Sequence, residues 1–208
     1  MKSVCVIGSG ISGSTIANLL SKKYKVDVYE KAKGIGGRSS HRRYLNKLGF
    51  DHGLQYISPK TSKFKKFCSG LQKKRVLKKW QGPHNFDHSK VLENKKHTKL
   101  IGAKGNNAIS KYLLKNINCI FGYELFKIER IRKNWKLSFL NGDVKYYEIL
   151  IISIPFAQSK KLLKKFLPNF FKNKKVKMEA NITVMTVTNK IKNNFSSFLF
   201  NDEVIGWA

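Results

Sequence analysis

Gly8, Gly10 and Gly13 stand in the run Val4-Cys5-Val6-Ile7-Gly8-Ser9-Gly10-Ile11-Ser12-Gly13, and Glu30 closes the next apolar segment, Val26-Asp27-Val28-Tyr29. Residues of these types at this spacing point to a dinucleotide held through its pyrophosphate. Gly8 permits a tight turn, Gly10 lets backbone approach phosphate, and Gly13 lets a helix pack closely on a strand. A helix opening at Ile11 and Ser12 would offer unpaired N–H groups, Ser9 among the turn's donors, at the positive end of its dipole. Glu30 would accept hydrogen bonds from ribose hydroxyls, and its charge argues against a 2′-phosphate.

Elements of the right type must flank such a turn. Val4 to Ile7 reads as a buried parallel strand, and Ile11 to Leu20 carries apolar residues at helical spacing. A lone G-x-G-x-x-G is weak evidence, but here strand, helix and acid all accompany it. Beyond Glu30 and Lys31 comes a second glycine pair with a cation, Gly36-Gly37-Arg38. A plain nicotinamide-dinucleotide half has no need of it. A longer cofactor does, and Arg38 would offer the pyrophosphate a planar cationic fork.

A G-x-G-x-x-G helix, an acid and then G-G-R is the pattern of FAD-binding amine-oxidase-type flavoproteins. Further segments resemble one branch of them, the bacterial renalase-like FAD-dependent oxidoreductases. They are Phe50 to Tyr56, Leu100 to Ile109, Ile149 to Gln158, and Phe200-Asn201-Asp202 with Trp207. They follow the family's order along essentially the whole chain.

The resemblance implies an α/β fold with a Rossmann-type FAD-binding domain (GR2, p-hydroxybenzoate-hydroxylase-like) and a discontinuous, incomplete α+β substrate domain. The FAD-binding domain is expected over residues 1–58 and 98–158, the partial substrate domain over 59–97 and 159–208. The resemblance further implies that Gly53, Leu54, Gln55 and Tyr56 approach the flavin ring, with Tyr56 equally readable as a core aromatic. Glu30 and Lys31 would meet the adenosine ribose and Arg38 the phosphates. Leu125 matches the position whose backbone holds adenine, and Ser153 and Pro155 match a segment near the adenosine half. In the family the chain runs on past the position of Trp207. The sequence is therefore expected to lack the C-terminal third, as a fragment or as a truncated product with an open flavin site.

The activity so implied is hydride transfer from a small amine or a reduced nicotinamide-like substrate to flavin N5, with reoxidation by O2. The cofactor carries the hard step, and no catalytic acid/base pair stands out in the sequence. Two alternatives are a non-catalytic flavoprotein remnant, motivated by the missing part, and a nucleic-acid-binding or RNA-modifying flavoprotein, motivated by charge.

That charge is large: 42 Lys+Arg against 12 Asp+Glu, a net +30. With 17 Asn and only 7 Ala, A/T-rich codon bias explains much of the lysine but not the scarcity of acids. A solvated cationic surface is preferred to an evolved polyanion site, so nucleic acid is not favoured as a partner. Cys5, Cys68 and Cys119 are far apart and form no C-x-x-C, which fits a reducing cytoplasm and no disulfide framework. Metal ligation by His84, His88 and His97 lacks an accompanying motif, and no metal is expected. His52 reads as a turn residue beside the flavin. No apolar run reaches the length of a membrane span.

For the rest, Thr61 or Ser62 should cap a helix through Phe64, Phe67 and Cys68. Asn141-Gly142 should turn a hairpin between Trp135–Leu140 and Val144–Tyr147. An amphipathic helix is expected from Phe156 to Leu167, and alternation over 176–188 suits a strand.

Overall fold

The computed structural model describes residues 1–44, 48–82, 84–86, 90–91, 98–187 and 197–199. In chain order come β1 (Ser3–Ile7), α1 (Ile11–Leu20), β2 (Lys25–Glu30), β3 (His41–Tyr44) and β4 (Leu48–Asp51). Next are α2 (Ser62–Lys73), β5 (Leu77–Lys79), β6 (His84–Phe86), β7 (Lys90–Val91) and β8 (Leu100–Gly102). Then follow α3 (Ala108–Leu113), β9 (Asn118–Phe121), β10 (Leu125–Ile131), β11 (Asn134–Phe139), β12 (Val144–Tyr147) and β13 (Ile149–Ile152). The last are α4 (Phe156–Leu163), α5 (Pro168–Asn173) and β14 (Ser197–Leu199). The chain divides into two units, residues 1–54 with 104–183, and residues 55–103 with 184–208.

The first unit is built on a parallel sheet in the order β13-β1-β2-β9. Alternation along β1 explains why every residue from Val4 to Ile7 is apolar: both faces of a parallel sheet are covered. Val4 and Val6 pack with Val26, Val28, Ala17 and Leu114 on the helical side. Cys5 and Ile7 face the other way, into a core with Tyr29, Ile128, Leu137, Phe139 and Tyr147. That second layer is the antiparallel meander β10-β11-β12, which fills the connection between β9 and β13. The β11–β12 turn contains the expected Asn141-Gly142, with Gly142 at φ +89.

Strand order matters for function. From β1 the chain steps to β2 and β9 on one side, while β13 returns to its other side. In open α/β sheets such a reversal leaves a crevice beyond the carboxyl ends of the strands, where ligands bind. The glycine turn after β1 lies at that edge.

In the second unit, Thr61 caps α2 through its Oγ1, which accepts from Phe64 N–H at 3.3 Å. Antiparallel pairing joins β5 to β8, and β14-β6-β7 form a small sheet.

Two expectations change. The amphipathic helix is regular to Leu163 and continues only as a turn through Phe166; Leu167 (φ −133) leaves the helical region because it precedes Pro168. Residues 174–187 form neither helix nor strand. A strand needs neighbours to bury its face, and this run finds none among the described residues; Ile182 remains 91% exposed. Thr188, His88, His97, Phe200, Asn201, Asp202 and Trp207 lie outside the described residues.

Candidate dinucleotide-binding site

The turn after β1 is fixed by contacts that admit only particular residues. Gly8 adopts φ +100, a left-handed conformation open to glycine at no steric cost. Its N–H donates to Tyr29 O at 2.8 Å, tying the turn to β2. Gly13 sits so close beneath that a Cβ there would lie 2.0 Å from Gly8 O and 2.4 Å from Ser153 Oγ. Ser153, just past β13, donates its hydroxyl to Ile7 O at 2.8 Å and approaches Gly8 O at 3.1 Å. Three expected site residues are thus packed into one joint.

Gly10 is different. A Cβ at this position would meet only Gly36 O at 3.8 Å and Gly37 Cα at 4.0 Å, ordinary contact distances. Its φ of −67 is open to any residue. Gly10 is the N-cap of α1 and brings no side-chain cap, so the first-turn N–H groups of Ile11, Ser12 and Gly13 have no intrahelical acceptor. Ile11 and Ser12 are exposed.

The second glycine pair abuts the first turn. Gly36 N–H donates to Ser9 O at 3.2 Å, and a Cβ on Gly37 would reach Gly10 Cα at 3.2 Å. Gly36 itself, at φ +132, is crowded by Ser40 and by the Asn107 side chain. Arg38 follows with its side chain exposed, and no hydrogen bond or ion pair occupies its guanidinium among the described residues. Its carbonyl accepts from Leu54 N–H at 2.9 Å, and a Cβ on Gly53 would lie 2.2 Å from that same oxygen. Gly53 and Leu54 are therefore laid against the arginine turn.

Glu30 is 8% exposed. Its Oε2 accepts from Ser9 N–H and Ser9 Oγ, both at 2.8 Å, and its Oε1 accepts from Ala32 N–H at 3.0 Å. A carboxylate oxygen has two acceptor sites, so Oε1 keeps one free of these contacts. Lys31, exposed, lies 3.9 Å from Glu124. Leu125 starts β10 and is buried in the meander core, paired with Phe139. Pro155 caps α4.

Gln55 and Tyr56 belong to the second unit. There Tyr56 packs on Trp80, ring centroids 5.8 Å apart, under Lys99 Nζ at 4.8 Å. Burial lowers the Lys99 pKa from its ordinary value.

Asn106 and Asn107, not among the expected site residues, enter the same structure. Asn106 donates its backbone N–H to Asp51 Oδ1 at 2.8 Å and its amide to Leu54 O. Asn107 donates Nδ2 to Ile35 O at 3.2 Å, while its buried Oδ1 has no partner among the described residues. Their signal was two amides directly after Gly105 at a helix start. His52 shares a 3.0 Å hydrogen bond with Ser40 Oγ.

Elsewhere in this unit, Cys5 is fully buried, and burial, with Asp27 nearby, pushes its thiol well above the ordinary range. That suits a packing residue, not a nucleophile. Among the described residues no group of three or more His, Cys, Asp or Glu is placed to hold a metal ion, and no helix is long and apolar enough to cross a membrane.

Residues 6–71 match the family described as NAD(P)-binding Rossmann-like domain. The amino-terminal region is Rossmann-like. The chain is also similar to the crystal structure of tetracycline destructase Tet(51), with a TM-score of 0.54 and 15% identity over 78% of this chain and 41% of that one. The likeness at that identity is one of fold. The chain spans about two fifths of the length of that structure.

Proposed function

We propose that the chain binds FAD and serves an oxidoreductase of the amine-oxidase, renalase-like type. The supporting observation is Gly10. Packing accounts for Gly8, Gly13, Gly36 and Gly53, whose added Cβ atoms would strain or collide. Nothing in the fold demands glycine at position 10, where a Cβ has room. A bare backbone at the mouth of a helix is what a pyrophosphate needs to approach closely.

The residues present fit the cofactor. The N–H groups of Ile11, Ser12 and Gly13, backed by Gly10, would hold the diphosphate, and the unengaged Arg38 fork would supply opposite charge. The remaining acceptor site on Glu30 would take a ribose hydroxyl, and its charge disfavours a 2′-phosphate. Gly36 and Gly37 give a second close approach, and Gly53 and Leu54 carry backbone toward the ring. When bound, the flavin supplies a hydride acceptor at N5 for a small amine or reduced nicotinamide-like substrate, with O2 as reoxidant. Residues 1–58 and 98–158 would form the FAD-binding domain.

Quenching of flavin fluorescence on titration with the chain tests this reading, with NAD run as competitor because the matched family is described by nicotinamide dinucleotides. Saturable uptake of FAD that NAD displaces poorly is expected. Uptake of NAD alone would favour a nicotinamide enzyme instead.

A further inference from the structure

The basic stretch from Lys160 to Lys177, with Phe156, lines a shallow, solvent-open cavity of about 460 Å³ between α4, α5 and the chain that follows. Its apolar part is Phe156, Phe171 and Val176, with Phe156 and Phe171 in contact at 5.5 Å and Phe171 only 3% exposed. The other five lining side chains are all lysines, Lys160, Lys172 and Lys175 among them, and no acid lines the cavity. Lys177 is paired with Glu179 at 2.8 Å; the other four have no ion pair among the described residues.

We infer that this cavity binds a phosphorylated small molecule with an apolar or aromatic body. The volume falls within the range of about 300–1,000 Å³ usual for small-molecule sites. Lysines bind phosphate as point charges whose three donors rotate to suit it. Four exposed lysines without an ion pair among the described residues rim one concavity, and the partly exposed Phe156 ring with half-exposed Val176, backed by the buried Phe171, offers apolar surface that bare phosphate cannot use. The site is independent of the FAD reading, since none of its residues belongs to the glycine turns.

The test is calorimetric titration of the full chain with phenyl phosphate and with inorganic phosphate, at fixed salt, with and without saturating FAD. Phenyl phosphate should bind at least tenfold more tightly than phosphate, whether or not FAD is present. Lys172→Glu/Lys175→Glu should weaken it at least tenfold. Lys22→Glu/Lys23→Glu, the same charge change in an exposed turn after α1, should stay within twofold. Val176→Ser, at a half-exposed position, should erase most of the phenyl advantage without touching charge. Equal weakening by both lysine pairs would reduce the effect to the diffuse field of a +30 protein and overturn the assignment. So would the absence of any phenyl phosphate binding, or binding abolished by FAD. Loss of FAD uptake alone, with phenyl phosphate bound as expected, would sink the flavin reading and leave this one standing.

Discussion

Ser9 donates its backbone N–H and its hydroxyl to the same oxygen of Glu30, each at 2.8 Å. The acid at the end of β2 therefore ties the glycine turn to that strand, while its other oxygen accepts from Ala32 N–H. Glu30→Gln would oppose an amide NH2 to one of these donors. A loss of about 1–3 kcal/mol, the scale for a buried donor left facing another, is expected in urea unfolding. A variant as stable as the parent would show that the pair of contacts carries no weight.

Gly13→Ala should destabilise the chain by about 3 kcal/mol, at the upper end of overpacking effects, because its Cβ would meet backbone oxygen rather than a side chain that could swing away. Thermal melting reads this directly. The same joint contains Ser153, and Ser153→Ala should partly relieve Gly13→Ala by removing the Oγ that lies 2.4 Å from the new atom.

Arg38→Met should leave stability within about 0.5 kcal/mol, as for surface changes away from fixed contacts. FAD affinity should drop at least tenfold, and the dependence of that affinity on salt should weaken. An unchanged salt slope would remove Arg38 from the phosphate site.

The Tyr147 hydroxyl donates to Asp27 Oδ2 at 2.8 Å and lies 2.9 Å from Tyr29 OH. Burial first, then these partners, push its phenol far above the ordinary range, and Tyr29 is raised for the same leading reason. The neutral phenols are thus favoured in the folded state. Their contribution is full below about pH 10, where an unfolded tyrosine ionises, and is lost as pH climbs beyond it. Absorbance at 295 nm should show these two of the eight tyrosines titrating only with alkaline unfolding. Tyr147→Phe should flatten the alkaline loss and cost about 1–2 kcal/mol at neutral pH.

Much of the first unit was legible because its signals are local. The run Val4 to Ile7 could only be buried on both faces, and the spacing of three glycines fixed strand, turn and helix together. The amides Asn106 and Asn107 were not legible as partners of Leu54 and Ile35, since those contacts join segments far apart in the chain. Alternation over 176–187 misled because a period of two says which face a strand would bury, not whether a neighbour is present. Pro168 was visible in the sequence, and its restriction on the preceding residue should have kept Leu167 out of the helix.

Gly10 is the glycine of the turn at which the fold would accommodate a Cβ. FAD titration of the parent chain and of Gly10→Ala, with both melting temperatures taken without cofactor, tests the FAD proposal most directly. A stability loss of no more than about 1 kcal/mol, the scale of an N-cap change to alanine, and FAD binding at least tenfold weaker in the variant are predicted. A parent chain that takes up no FAD, or a variant that binds it as well as the parent, would contradict the claim.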